Sequence, residues 1–133
     1  MMYMLDTNIC VCLIKHNPIQ VRAKFEKLQS GDVLLSSIVL AELSYGISKS
    51  QYKERNLAAL EMFLMPLEVM PFDEHATGIY GEIRADLERS GQVIGGNDLL
   101  IAAHALALNA TLVSNNLKEF ARVPDLKLEN WVD

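Results

Sequence analysis

Apolar residues in this chain come in short runs that alternate between two spacings. Met1-Met2-Tyr3-Met4-Leu5 is continuously apolar and stops at Asp6. A run this short, without alternation, suits a strand buried on both faces, as in the middle of a parallel sheet. Val33-Leu34-Leu35-Ser36, Leu67 to Met70 and Thr111 to Ser114 read as three further strands, and Leu126 to Leu128 as a fifth at an edge. Between these runs the apolar spacing is helical. Ile9 to Lys15 forms a short helix, and Asn17-Pro18 supplies the N-cap and first residue of the next. That helix carries Val21, Phe25 and Leu28 on one face, and Ser30-Gly31-Asp32 stops it. A helix from Ile38 to about Ser48 follows the second strand directly, and another runs from Lys53 to Met65, where Pro66 closes it. Ala76, Ile79, Tyr80, Ile83 and Leu87 define an amphipathic helix ending at Ser90-Gly91. After a Gly95-Gly96-Asn97 turn, Asp98 opens a nearly all-apolar helix to about Leu108, and a short helical piece ends at Arg122.

Strands separated throughout by helices imply right-handed crossovers. The expected architecture is α/β: one domain over residues 1–133, with a central parallel sheet of four to five strands flanked by helices on both faces.

Composition adds a few boundaries. No apolar run is long enough to span a bilayer and no basic signal region is present, so a soluble cytoplasmic protein is expected. Cys10 and Cys12 stand two apart on a helix, where they do not face each other, and read as small buried hydrophobes. A net charge of −5, from 17 acidic and 12 basic residues, opposes nucleic-acid binding. The opposition weakens if several acids share one pocket and are neutralised by divalent cations.

The placement of the acids makes that a concrete expectation. Asp6 ends the first strand, Glu42 lies about a turn into the helix after the second, and Asp98 opens the buried helix. Ser114, Asn115 and Asn116 end the fourth strand. All lie at or just past the C-terminal ends of strands, the edge where open α/β sheets place their sites. Three carboxylates gathered there repel, and one takes up a proton unless a cation sits between them. Oxygen ligands without histidine or cysteine favour Mg²⁺, with Mn²⁺ as substitute. Such a cluster activates water and clamps a phosphodiester, the chemistry of nucleases and some phosphatases. Each residue also has a plainer reading: capping for Asp6, Thr7 and Asp98, solvation for Glu42, and turn formation for Asn116.

Leu5-Asp6-Thr7-Asn8, Glu42-Leu43 with Gly46, Asp98-Leu99-Leu100-Ile101-Ala102-Ala103, and Leu112-Val113-Ser114-Asn115-Asn116 with Glu119-Phe120 together resemble the PIN-domain ribonucleases. Within them the chain is most similar to the VapC toxins of bacterial toxin–antitoxin pairs. The resemblance spans the whole chain. It implies a Mg²⁺-dependent endoribonuclease whose metal is held by Asp6, Glu42 and Asp98, with Thr7, Ser114 and Asn116 in support. It further implies a homodimer, inhibition by a VapB-type antitoxin that lays its C-terminal segment in a groove, and cleavage of structured RNA such as initiator tRNA. Asn116 stands where the family often has Asp, which bears on a second metal. Glu119 reads mainly as solvated; its joining the site in compensation for Asn116 is the lesser reading.

Two rivals remain at this point. An aspartyl-phosphate hydrolase would use Asp6 as nucleophile, although Asn8 stands where a second acid is usual. A catalytically silent scaffold would bind RNA or protein. Cations for RNA are expected at Lys49 and Lys53, clustered with Arg55, and at Arg84; Lys15 is more isolated. Met62, Phe63, Met65 and Met70 read mainly as core filler, and a groove for a partner is the lesser reading. His104 is expected as a hydrogen-bonded core residue, and Trp131 as the anchor of the tail.

Overall fold

The computed structural model describes residues 1–29 and 31–133; Ser30, in the predicted Ser30-Gly31-Asp32 stop, lies outside the described residues. Five strands form one all-parallel sheet in the order β3-β2-β1-β4-β5. They are β1 (Tyr3–Leu5), β2 (Val33–Ser36), β3 (Glu68–Met70), β4 (Thr111–Val113) and β5 (Leu128–Glu129). The first strand is therefore the central one. Met4 and Leu5 point to opposite faces of the sheet, and both are fully buried, so both faces are covered. This explains why the opening run is continuously apolar.

Among the described residues seven helices make the cover: α1 (Thr7–Lys15), α2 (Ile19–Glu26), α3 (Ser37–Ser48), α4 (Lys53–Leu64), α5 (Glu74–Arg89), α6 (Gly96–Ala107) and α7 (Leu117–Phe120). Helices α1 to α4 pack among themselves, α5 packs along α6, and α3 touches both groups. The core gathers Leu5, Ile9, Leu35, Ile101, Leu112 and Phe120, and Trp131 seals its lower edge against the Tyr3 ring at 5.7 Å.

Several boundaries differ from those the pattern predicts, each for a physical reason. Helix α2 begins at Ile19 because Pro18 is extended (ψ 155°), and Asn17 belongs to the end of α1. There His16 turns left-handed (φ 57°), and its N–H and that of Asn17 return to Leu13 and Cys12, closing the helix. Gly31 (φ 97°) supplies the left-handed residue before β2. Helix α6 starts at Gly96 rather than Asp98. Strand β3 is an edge strand, so Glu68 and Val69 are exposed. Met62 and Met65, expected in the core, are instead 74% and 82% exposed, because α4 turns that face outward. Cys10 is buried and Cys12 half-buried, both as free thiols.

Candidate active site

Sheet register brings the first two site residues together. Strands β1 and β4 are neighbours with Leu5 opposite Val113, so the next residues, Asp6 and Ser114, emerge side by side. Asp6 caps α1: its Oδ1 accepts the Ile9 N–H at 2.9 Å. Its Oδ2 accepts the Ser114 hydroxyl at 2.5 Å. Capping and site-building are thus done by different oxygens of one carboxylate. Ser114 Oγ also accepts the Asn116 N–H at 2.9 Å, and Asn116 Nδ2 donates to Glu119 Oε2 at 2.6 Å. Burial pushes the Asp6 carboxyl above its ordinary range, the Ser114 and Ile9 bonds pull it back, and the charge of Glu42 adds to the rise.

Glu42 and Asp98 arrive from helices. Helix α3 starts straight after β2, the strand beside β1, so Glu42 is delivered next to Asp6 within two turns. Its Oε1 is buried without a hydrogen-bond partner, and so is the Thr7 Oγ1 on the first residue of α1. Neither the solvated reading of Glu42 nor the capping reading of Thr7 accounts for these atoms. Asp98 is the third residue of α6, and Gly95 holds the cap position, so Asp98 caps nothing. Its carboxyl is pushed up to about 7, first by burial, then by a hydrogen bond to Glu119, then by the charges of Glu119, Glu42 and Asp6. Glu119 is held below its usual range, chiefly by that bond and next by Asn116. The two act on each other in opposite directions, Asp98 upward and Glu119 downward.

The structure therefore brings Asp6, Glu42, Asp98, Thr7, Ser114 and Asn116 to one place and adds Glu119, which the sequence pattern leaves in solvent. A signal for Glu119 does exist: Asn-x-x-Glu at a helix start puts the two side chains within reach. Arg122 is a further residue the pattern misses. It donates to the Val93 carbonyl at 3.1 Å, and its charge acts on Glu119. The expected cations lie elsewhere. Lys49 and Lys53 are exposed around the α3–α4 turn, and Arg84 is exposed on α5, bonded to the Tyr80 hydroxyl at 2.8 Å and to Glu88.

From Thr7 and Glu42 a groove of about 360 Å³ runs between α1, α3 and α4, past Leu43 and Gly46 to Asn56. A second, of about 330 Å³, is lined by Leu13, Ile14, Phe25, Ala59, Met62 and Phe63.

Among the described residues, no three His, Cys, Asp or Glu side chains are grouped closely enough to hold a metal ion as they stand. The donor set nevertheless fits a hard divalent cation. It is all oxygen, it holds a buried carboxylate oxygen and a buried hydroxyl with no partner, and burial, the Glu119 hydrogen bond and then the neighbouring charges push the Asp98 carboxyl up. A cation would satisfy the two oxygens and counter the rise at Asp98.

The PIN-domain family model matches residues 3–126. The chain is 54% identical to Ribonuclease VapC2 of Rickettsia felis over 98% of each, and 45% identical to the tRNA(fMet)-specific endonuclease VapC of Shigella flexneri over 97% of each. It superposes with a TM-score of 0.93, at 53% identity, on the crystal structure of VapBC2 from Rickettsia felis bound to a DNA fragment from their promoter, covering 98% of this chain and 99% of that one. With its central parallel sheet and its acids collected at one edge, the chain belongs to the PIN-domain family, in the group that contains the VapC ribonucleases.

Proposed function

We propose that this protein is a Mg²⁺-dependent endoribonuclease, the toxin of a VapBC-type pair, acting on structured RNA in the cytoplasm, with initiator tRNA as its target. The observation that carries the reading is Glu42 Oε1, buried and partnerless beside two further carboxylates. Without a cation such a grouping only costs stability, which argues against a silent scaffold. The names of the relatives at 54% and 45% identity support RNA, and tRNA(fMet), as the substrate.

Asp6, Glu42 and Asp98 would hold the ion, with Thr7 Oγ1 beside it. A bound divalent cation supplies Lewis-acid activation of a water and offsets the charge that develops on the phosphate. The chain's own residues do the positioning. Ser114 and the Ile9 N–H fix the Asp6 carboxylate, so its remaining lone pairs keep one direction. Asn116 fixes Glu119, which its bonds to Asp98 and Asn116 hold below its usual range, so that it would stand as a carboxylate beside the site. Asn8, where a phosphoaspartate enzyme wants its second acid, is exposed and makes no such contact.

The second groove, mainly apolar with the Arg22–Glu26 pair and His16 at its edge, runs along α1, α2 and α4 and suits a helical segment of a VapB-type antitoxin, a partner that the VapBC structure supports. A homodimer is part of the same reading. The test is incubation of the purified protein with total tRNA and Mg²⁺, with end-mapping of fragments. Discrete cuts that vanish in EDTA and with Asp6→Ala are expected, and full cleavage in EDTA overturns the reading.

A further inference from the structure

We infer that the turn between α3 and α4 is a platform for unpaired RNA nucleotides, on which Tyr45 and Tyr52 stack bases while Lys49, Lys53 and Arg55 meet phosphates. The use made of the bound strand rests on the ribonuclease reading; the platform itself does not.

Large aromatic side chains normally bury most of their surface. Tyr45 and Tyr52 are 66% and 59% exposed. Each ring has a cation over it: Lys49 Nζ stands 4.8 Å from the Tyr45 centroid and the Arg55 guanidinium 4.7 Å from that of Tyr52. A cation covers only one face of a ring. The other face is left for a base, and the cation is already where the adjoining phosphate needs it. The turn is held firm, since Ser50 Oγ donates to the Ile47 carbonyl at 2.7 Å and accepts from Asn56 Nδ2 at 3.1 Å.

Charge and continuity select the occupant. In a chain of net charge −5, residues 49–55 carry three of the twelve cations and one acid, Glu54. Lysine is depleted from the cores of protein interfaces, whereas cations interleaved with aromatics match a polyanion with π-faces. Glu42, Tyr45 and Lys49 follow one another at one-turn spacing on α3, so the platform lies about 10 Å along the helix from the site carboxylate. The groove that starts at Glu42 is lined by Gly46, next in sequence to Tyr45, and by Asn56, next to Arg55. Paired RNA hides its base faces, so the strand taken here is a loop or an end.

The test is fluorescence anisotropy with a short labelled oligouridine in EDTA at low salt, on the full chain. Tyr45→Ala with Tyr52→Ala should weaken binding about tenfold, and Tyr45→Phe with Tyr52→Phe should bind as the parent does. A paired RNA duplex should show no difference between these variants. Binding of oligouridine within twofold of the parent for the alanine variant, or an equal loss on the duplex, overturns the platform. So does a change in solution mass with RNA affinity intact, which hands the surface to a second copy of the chain. Tyrosine-dependent binding without Mg²⁺-dependent cleavage keeps the platform and ends the ribonuclease reading; cleavage with tyrosine-independent binding does the reverse.

Discussion

Helix α6 carries a buried His104 and a half-buried Asp98 within two turns of each other, and they live in opposite circumstances. His104 Nδ1 accepts the Ser36 hydroxyl at 2.7 Å, and its ring donates to the Pro71 carbonyl. The Phe72 ring stands edge-on at 5.4 Å. Burial lowers its pKa, so it stays a neutral imidazole with both nitrogens satisfied by the chain. Asp98 faces three other acids, holds a proton it would lose in water, and lies near two buried oxygens that have no partner. A polar group buried for architecture finds its partners within the fold. One buried for chemistry is left incomplete, and what completes it comes from outside.

The largest effect that could break this comparison is on catalysis. Asp6→Ala or Asp98→Ala should lower the rate of RNA cleavage about a thousandfold; without metal Asp98→Ala should keep or gain thermal stability, while Asp6→Ala, which also removes the α1 cap, should lose about 1 kcal/mol. Circular-dichroism melts beside cleavage assays decide it: a loss of activity that merely tracks unfolding would make the acids architectural, like His104.

His104→Ala should do the opposite. Deleting the ring takes from the Ser36 hydroxyl its His104 partner, leaving it only the Ile38 N–H, frees the Pro71 carbonyl and opens a cavity, at a cost of about 3 kcal/mol. The melting temperature should fall roughly 10 °C, with kcat of the remaining folded protein unchanged. A large fall in kcat at temperatures where the variant is fully folded would bring His104 into the chemistry.

Much of this contrast is legible in the residues themselves. Asp6 is legible because a continuously apolar strand that ends abruptly on an acid delivers that acid to the edge where parallel sheets hold their ligands. Register alone then pairs it with Ser114. His104 is legible because its helix is apolar on every side. Glu119 is only partly so: the Asn-x-x-Glu spacing places it beside Asn116, but its single-turn helix shows no periodicity, and only the fold brings it against Asp98. The exposed Met62 and Met65 mislead for a related reason. Their spacing satisfies a core stripe on α4, but that stripe is shared between the interior and a groove, a distinction that lies in packing rather than in pattern.

A subtler separation of the two clusters comes from pH. Asp98 titrates near 3.8 ordinarily and at about 7 in the folded protein. Between these values the unfolded chain has released the proton that the folded chain keeps, so stability of the metal-free protein falls as pH rises through this window and is flat above it. Glu119, shifted down, acts only at more acidic pH. Asp98→Asn should therefore melt with the parent near pH 4 and several degrees above it at pH 8, and saturating Mg²⁺ should remove the parent's disadvantage. A gain of equal size at both pH values would mean that Asp98 carries no displaced proton.

The smallest effect isolates a single atom. Thr7 Oγ1 is buried with no partner, while the rest of its side chain packs ordinarily. Thr7→Val keeps the shape and removes the hydroxyl. Relief of an unsatisfied buried group should stabilise the metal-free protein by about 1 kcal/mol, read as a rise of roughly 3 °C in Tm. With Mg²⁺ present the sign should reverse, since a hydroxyl that contributes to the ion's surroundings is then missed, and the Mg²⁺ concentration needed for half-maximal cleavage should rise a few-fold. The equivalent change at a satisfied position, Ser36→Ala beside His104, should destabilise with and without metal alike. If Thr7→Val also destabilised under both conditions, the hydroxyl would have a partner within the chain, and the line drawn between the two clusters would not run through Thr7.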